Sequence, residues 1–433
     1  MTTTSYTAYS LYTFTGTVTG MAGRITDDGT TITPLPNMVT YTGTPGAGDP
    51  EIEGFIDGAN LRIAVAPYVG GTGETVGIYD ATTGSLVGST THSWSSVNNM
   101  FGIEKIGSNF YVLDFDNARI VRVNSSYNQA TPPPAVAWNF ASDPVTGPLI
   151  PSGYSVHGQA IVNIGGTLYG LFTLTNGAWT TYQNSVLVKF TISGTGAVSV
   201  ATNDYNNTIG KNAFAMAVQG SDLYIASLGG SQNAGSPNTN SALQKIAYGT
   251  SPLNGATVTN VFGYNATYPY EVRDISFNGT TAYVLVGAYD ASFVMKGKLL
   301  QTTTAFSSFT TISDFSTGAP GYYWAARYID NNRVLFAKGN SILYYNAAST
   351  TTPVATLTIA AGSLESAGSS FTNLNDMSYV GSKTATGLRV RGYRSPTQVS
   401  RTARGVQART IARGRPELLP AELDLLETLL ASA

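Results

Sequence analysis

Residues 101–123 read FGIEKIGSNFYVLDFDNARIVRV, and this stretch decides the fold. Two segments rich in Tyr, Val and Ile are joined by a tight turn at Gly107, and a third segment begins at Arg119. Apolar and aromatic segments separated by short Gly or Asn turns are typical of β-strands joined as hairpins. The stretch therefore predicts successive antiparallel strands.

Similar hairpins recur along the chain. Their turns lie at Gly58, Gly107, Gly165, Gly220, Gly279, Asn331 and Gly381. Consecutive turns are roughly 50–60 residues apart, the length expected of one four-stranded blade of a β-propeller. The pattern predicts about seven blades. Counts of six or eight stay open because residues 20–50 and 290–320 divide in more than one way.

The last repeat is incomplete, because the chain turns Arg-rich soon after residues 376–380. Residues 6–19 are rich in β-forming residues but follow no inner strand of their own. We therefore expect an all-β propeller of about seven four-stranded blades, closed by N-terminal strands, with a short C-terminal extension that ends in a helix. The predicted domains are the propeller at 1–385, an extended Arg-rich arm at 386–416 and an amphipathic docking helix at 417–433.

Composition excludes several classes of site. Only 11% of the residues are charged and 42% are hydrophobic, which favours a folded domain over a disordered chain. The chain has no cysteine, so disulfides and thiolate chemistry are excluded, and its two histidines, His92 and His157, exclude a multi-histidine metal centre. No stretch approaches the ~20 apolar residues of a membrane span, and the first residues lack the pattern of a signal peptide.

The stretch at 101–123 resembles the NHL repeat of NHL-type β-propellers. The matching residues are Gly102, Ile103, Gly107, Asn109, Tyr111, Val112, Asp114, Asn117, Arg119 and Ile120. The other repeats keep only the inner hairpin. The resemblance implies a propeller in which Asp114, Asn117 and Arg119 brace one strand against the next.

Propellers related to this family include enzymes, and the lactonase-like ones hold calcium with oxygen ligands at the central channel. The polar residues nearest the starts of the inner strands are Glu104, His157, Gln159, Asp274, Arg327 and Asp376. Asp274 and Asp376 are the candidate calcium ligands; the alternative is that Arg327 pairs with both as a structural bridge. We favour the structural bridge and predict no catalytic residue, metal or cofactor, with calcium as the alternative, and we interpret His157 as a packed strand residue.

Aromatic residues in loops form a second set of candidates. Rings beside Asn and Asp side chains offer the combination of apolar and polar contacts that a sugar or receptor surface uses. The candidates for glycan or receptor contact are Trp94, Trp179, Tyr182, Tyr268 and Trp324. The alternative interpretation is that these rings cover the ends of the blades.

The C-terminal segment differs from the rest of the chain. Residues 389–433 carry eight arginines and four acidic residues, a net charge of +4. The arginines are Arg389, Arg391, Arg394, Arg401, Arg404, Arg409, Arg413 and Arg415, and the apolar stripe that follows is Leu419, Leu423, Leu426 and Leu430. A run of like charges extends until a partner neutralises it, and so short a helix needs a partner surface. We predict docking on another protein; nucleic acid is disfavoured because the remainder of the chain is acidic.

Together these features favour a non-enzymatic structural or adhesion protein of a bacteriophage-like virion, extracellular after release, with the propeller displayed and the C-terminal arm bound to other virion or assembly proteins. Host-surface glycan is a second expected partner. An extracytoplasmic carbohydrate-binding propeller is the first alternative. A calcium-dependent lactonase-like enzyme is the second.

Overall fold

A computed structural model describes most of the chain. The described residues are 4–12, 18–42, 50–67, 74–92, 100–124, 135–231, 235–292, 294–317, 324–329, 333–338, 341–346, 349–358 and 373–380. They form thirty strands and two short 3₁₀ helices, Gly147–Leu149 and Leu253–Gly255. Neither helix has the length or the apolar character that a membrane crossing requires.

The strands follow one another through seven antiparallel sheets. The first four are β1 (Ser5–Tyr12), β2 (Val18–Asp27), β3 (Ile32–Pro34) and β4 (Val39–Thr42). Blade 1 contains β5 (Pro50–Asp57), β6 (Asn60–Pro67), β7 (Glu74–Asp80) and β8 (Leu86–His92). Blade 2 contains β9 (Met100–Ile106), β10 (Asn109–Asp114), β11 (Arg119–Asn124) and β12 (Ala135–Asn139). Blade 3 contains β13 (Tyr154–Ile164), β14 (Thr167–Asn176), β15 (Asn184–Ile192), β16 (Val198–Ser199) and β17 (Tyr205–Lys211).

The second half continues the pattern. Blade 4 contains β18 (Ala213–Gln219), β19 (Asp222–Ser227), β20 (Ala242–Ala247) and β21 (Thr259–Gly263). Blade 5 contains β22 (Glu271–Asn278), β23 (Thr281–Tyr289), β24 (Met295–Thr303) and β25 (Thr310–Asp314). Blade 6 contains β26 (Trp324–Ile329), β27 (Arg333–Lys338), β28 (Ser341–Asn346) and β29 (Ser349–Thr358), and the last strand is β30 (Asn373–Val380). The fold is a seven-bladed β-propeller, as the repeat predicts.

Blade 7 joins the two ends of the described chain. Its inner strand is β30, which pairs with β1 in a register that runs from Tyr6↔Val380 to Tyr12↔Asn373. β1 pairs in turn with β2, which carries β3 and β4 at its outer edge. The predicted closure by N-terminal strands is confirmed. The predicted C-terminal helix lies outside the described residues.

The inner hairpins form as their turn residues require. Gly107 lies between the paired residues Ile106 and Asn109 and has a φ of +57°, which a residue with a side chain rarely adopts. Gly58, Gly220 and Gly279 occupy the same position in their hairpins, with φ values of +61°, +60° and +54°. Two-residue turns of this kind match the right-handed twist of the strands that they join.

The blades pack face to face through alternating apolar residues. Phe55 of blade 1 meets Phe110 of blade 2 edge to face, with ring centroids 5.4 Å apart. Between blades 2 and 3 the backbone of Gly158 lies close against the side chain of Leu113, because a Cβ on Gly158 would lie 2.7 Å from Cδ1 of Leu113. This packing brings the loops of blades 2 and 3 together at the end of the ring where the inner strands begin, here called the upper face.

Candidate functional site

The loop between β10 and β11 lies at the upper face and is braced from below. The Asp114 carboxylate accepts hydrogen bonds from Asn117 Nδ2 at 2.8 Å and from Arg119 Nε at 2.7 Å. The Asp114 side chain is completely buried, so these donors compensate its removal from water. The structure confirms the bracing role that the NHL resemblance implies for these three residues.

The braced loop places Phe115 against blade 3. Its carbonyl oxygen accepts a hydrogen bond from the backbone N–H of Gly158 at 3.1 Å. Its ring lies 4.9 Å from the imidazole of His157 and 4.4 Å from the ring of Phe101, centroid to centroid. Asp116 follows Phe115 directly in the same loop.

A second upper-face loop, between β14 and β15, carries Trp179. Asn176 organises its turn, because its side-chain oxygen accepts the backbone N–H groups of Thr180 and Thr181 at 2.9 and 3.1 Å. Trp179 has a φ of +57°, a backbone conformation that bulky residues rarely adopt. Strained residues of this kind are often found at functional sites.

Trp179 completes an aromatic cluster. Its ring lies 4.4 Å from the imidazole of His157 and 5.9 Å from the ring of Phe115, almost parallel to the latter. Trp179 is half-buried and keeps part of its surface exposed. We call Phe101, Phe115, Asp116, His157 and Trp179 the upper-face cluster.

Burial shifts the pKa values of the two titratable groups of the cluster in opposite directions. Burial lowers the pKa of His157 to about 4, although a hydrogen bond to the backbone of Phe115 works against the shift. Burial raises the pKa of Asp116 to about 6, and the neighbouring Asp114 carboxylate adds to the rise. Both shifts favour the neutral form, and perturbed groups of this kind concentrate at functional sites.

The imidazole of His157 has one unsatisfied nitrogen. Nδ1 is buried and has no hydrogen-bond partner among the described residues. In a neutral imidazole one nitrogen donates and the other accepts, so Nδ1 is available to a ligand group that can do either.

A chain of hydrogen bonds reaches Trp179 from blades 4 and 5. Ser231 Oγ donates to the Trp179 carbonyl at 3.2 Å, and Asn238 Nδ2 donates to the Ser231 carbonyl at 2.8 Å. Asn238 Nδ2 also lies 2.7 Å from Glu271 Oε1, and Glu271 forms a buried ion pair with Arg273. The backbone carbonyl of Trp179 is thus held from the neighbouring blades.

The other sequence-predicted aromatic residues are not part of this cluster within the described chain. Tyr182 is only 6% exposed and forms a β-bridge with Thr175. Tyr268 is half-buried and packs against Phe262 and Phe309, with centroids 5.9 and 5.5 Å away. Trp324 begins β26, but its side chain lies outside the described part of the structure, and so does all of Trp94.

The candidate calcium ligands do not form a described site. Asp274 is completely buried, and its Oδ1 accepts the backbone N–H of Ile275 at 2.9 Å. The side chains of Arg327 and Asp376 lie outside the described residues. Within the described residues, no three His, Asp or Glu side chains are grouped to hold a metal ion. The arginines and leucines of 389–433 also lie outside the described chain.

Solved structures with the same architecture include two sugar-lactone hydrolases. The periplasmic gluconolactonase of Pseudomonas aeruginosa superposes with a TM-score of 0.54 at 10% identity, covering 88% of this chain and 99% of that one. A putative 6-phosphogluconolactonase from Bacteroides fragilis gives a TM-score of 0.52 at 12% identity, covering 87% and 98%. At these identities the likeness shows the fold alone.

No family model matches this chain, and no curated protein matches it either. The NHL resemblance therefore stays a prediction from residues 101–123, while the seven-bladed propeller is shown.

The sequence pattern missed two parts of the cluster. Asp116 lies inside the NHL-like element but is not one of its matching residues, so no motif drew attention to it. His157 is packed, as predicted, but its unpaired Nδ1 depends on Phe115 and Trp179, which come from two separate loops. The local sign in the sequence was the run Asp114-Phe115-Asp116, where β10 ends.

Proposed function

We propose that the protein is a non-enzymatic structural or adhesion protein whose propeller is displayed on a larger assembly and recognises a ligand at its upper face. The observation that carries this proposal is the upper-face cluster. It combines the partly exposed ring of Trp179 with half-buried Asp116 and with Nδ1 of His157, which has no partner among the described residues. Apolar surface with a few fixed polar groups is what ligand-binding sites have in common.

The chemistry of the cluster supports binding over catalysis. Among the described residues, no carboxylate contacts His157 to orient it as a general base. Its lowered pKa of about 4 makes it a weak base at neutral pH.

Attachment is assigned to residues 389–433. The seven described blades are complete at Val380, so the arginines and leucines beyond this point are not needed to close the ring. An arm with a net charge of +4 suits an acidic protein surface, and a bacteriophage-like virion is the assembly that we favour.

The test is whether the protein co-purifies with virion particles. We expect mass spectrometry of purified particles from the source organism to detect it. A variant with all eight arginines of the arm changed to Gln should fold but fail to join them, whereas the matched Lys variant should still join. Absence from particles, or normal incorporation of the Gln variant, would contradict the proposal. A chain found instead in the extracytoplasmic fraction would favour the carbohydrate-binding alternative.

A lactonase-like enzyme is the second candidate, favoured by one observation. Asp116 directly follows Phe115, whose ring contacts His157, and the pKa values of Asp116 and His157 are about 6 and 4. Solved structures of the same fold include a gluconolactonase and a putative 6-phosphogluconolactonase. Hydrolysis of glucono-1,5-lactone, measured with and without calcium, separates the candidates. We expect no acceleration over the spontaneous rate. Turnover that is lost in His157→Gln would favour the enzyme.

A further inference from the structure

Two unfavourable features meet at one place in the upper-face cluster. The first is the buried nitrogen His157 Nδ1, which has no hydrogen-bond partner within the described residues. A buried polar atom without a partner loses its hydration and gains nothing in return. The second is the φ of +57° at Trp179, whose ring covers the imidazole at 4.4 Å.

Both features are relieved by the same movement. If the Trp179 segment turns away from blade 3, its backbone leaves the left-handed region and His157 Nδ1 becomes accessible to a hydrogen-bonding group. Trp179 is therefore suited to move aside and let a ligand bind at His157 Nδ1 in its place.

Within the described residues, one hydrogen bond from outside the loop reaches Trp179. Ser231 Oγ donates to its carbonyl at 3.2 Å, and Asn238 and Glu271 position Ser231 in turn. The bonds from Asn176 to Thr180 and Thr181 secure the residues that follow Trp179. The turn therefore has a fixed base and, among the described contacts, a single latch on the adjacent blade.

We propose that Trp179 is a movable cap over His157, and that its opening admits a neutral, hydroxyl-rich ligand, a sugar residue, whose hydroxyl groups form hydrogen bonds with His157 Nδ1 and the Asp116 carboxylate. The ligand class rests on the proposed binding function; the cap does not.

The polar and charged groups around the cluster favour a neutral, hydroxyl-rich ligand. The Asp116 carboxylate accepts hydrogen bonds and Nδ1 either donates or accepts one, and the hydroxyl groups of a sugar can do both. Arg119 and Arg273, guanidinium groups in the contacts around the cluster, are paired with Asp114 and Glu271. Lys211 lies near Tyr154, outside the cluster, but none of the described ring contacts within the cluster is made by a cation, so a neutral ligand is favoured over a sugar phosphate.

The aromatic rings fit the same ligand. Phe115 is completely buried while Trp179 covers the cluster, so opening of the cap would uncover the Phe115 ring. Together with Trp179 it would offer apolar surface for the C–H face of a sugar ring, while hydroxyl groups at the edge of the sugar reach His157 Nδ1 and Asp116. A quaternary ammonium would also lie against such rings beside a carboxylate. It can neither donate nor accept a hydrogen bond, however, and would leave His157 Nδ1 unpaired, so the sugar is the better match.

The cap is tested without a ligand. The chain has only two histidines, so NMR titration of the full-length protein resolves His157 once His92→Gln assigns the other signal. Trp179→Gly should move the pKa of His157 toward its ordinary value by about one unit or more, and Ser231→Ala should move it part of the way. Ser231→Thr, which keeps the hydroxyl, should not move it. An unchanged His157 pKa in a folded Trp179→Gly protein would overturn the cap.

The ligand class is tested on an array of neutral oligosaccharides, followed by titration of the full-length protein with the strongest binder. Choline and 6-phosphogluconate serve as comparison probes. His157→Phe and Asp116→Asn should each weaken binding about tenfold, the loss of roughly one hydrogen bond to a buried or charged group. Ser231→Ala should tighten it about threefold, because less of the binding energy goes into opening the cap.

Tyr268→Ala, an aromatic loop variant outside the cluster, should bind as the unmodified protein does. No binding to any neutral sugar, or binding to choline or 6-phosphogluconate that depends on His157 and Asp116, would overturn the ligand class. Sugar binding by a protein that is absent from particles would support this inference and contradict only the attachment role.

Discussion

Arg333 and Asp27 are 306 positions apart in the chain, yet Arg333 Nε donates to Asp27 Oδ2 at 3.1 Å. Arg333 opens β27 of blade 6, and Asp27 ends β2 of blade 7. Arg333 Nη2 also donates to the carbonyl of Gly29 at 3.0 Å. The two side chains are 9% and 2% exposed, so the pair is a buried clamp between the last two blades.

Arg333→Ala should therefore lower the free energy of unfolding by about 3 kcal/mol, because it leaves the Asp27 carboxylate buried without its cation. Chemical denaturation measures the change. The control is Lys245→Ala, which removes an ion pair with Asp222 whose lysine is 40% exposed and which should cost less than about 1 kcal/mol. Equal effects of the two variants would show that the pair contributes nothing to closure.

Asp116 and His157 should change the free energy of unfolding in opposite directions as the pH is raised. The folded-state pKa of Asp116 is raised to about 6, so its contribution to stability falls as the pH rises from its unfolded pKa near 4 to 6. The folded-state pKa of His157 is lowered to about 4, so its contribution rises with pH between about 4 and its unfolded value near 6.5. The two trends largely cancel in the unmodified protein.

A variant that removes one of the two titratable groups should show the pH dependence that the other group causes. In Asp116→Asn, stability should rise with pH across this window, and in His157→Gln it should fall, each relative to the unmodified protein and by at most about 1.4 kcal/mol per pH unit. Denaturant titrations at several pH values supply the measurement. Parallel pH profiles for all three proteins would mean that neither group is perturbed.

Asp114→Ala should destabilise the protein by about 2 to 4 kcal/mol, because it removes the acceptor of both Asn117 and Arg119 and leaves the guanidinium partly buried without its partner. The loop that carries Phe115 should loosen with it, which hydrogen exchange at the Gly158 amide would report, since that N–H donates to the Phe115 carbonyl. Asp222→Ala, which breaks a more exposed ion pair, is the comparison. Unaltered exchange at Gly158 would argue against the brace.

Gly297 is required by the close approach of two strands. A Cβ at this position would lie 2.0 Å from the carbonyl oxygen of Val286 and 2.7 Å from Cα of Gly287, both backbone atoms that cannot move aside. Gly297→Ala should cost more than about 2 kcal/mol of stability, as overpacking does. Gly194→Ala, where a Cβ meets open space, should change stability by less than about 0.5 kcal/mol. A tolerated Gly297→Ala would mean that β23 and β24 can separate at little cost.

The architecture was predictable from the sequence because its determinants are local. The turn at Gly107 and its equivalents mark each inner hairpin, and their spacing counts the blades. The incomplete repeat before Val380 predicts that β1 completes it, which the pairing of Tyr6 with Val380 confirms. The Asp114 brace was predictable for the same reason, since its partners lie within five residues.

The upper-face cluster was not predictable in this way. Trp179 was a candidate only as a loop aromatic, and its φ value, its position over His157 and its bond to Ser231 depend on how blades 2, 3 and 4 meet. Burial decides the protonation of Asp116, and burial is a property of the assembled ring. Sequence periodicity reports which face of a strand is apolar, but not which loops of different blades touch.

The mixed origin of blade 7 has a consequence for biosynthesis. β1 and β2 leave the ribosome before the other described strands, but the inner strand that β1 pairs with, β30, is made only after six other blades. Until then the nascent chain carries an unpaired strand edge, which other chains can also pair with. Slow translation or high expression should therefore favour aggregation through β1, and a chaperone that shields this edge should raise the yield. The ring can therefore close only after translation has passed β30, the inner strand of blade 7.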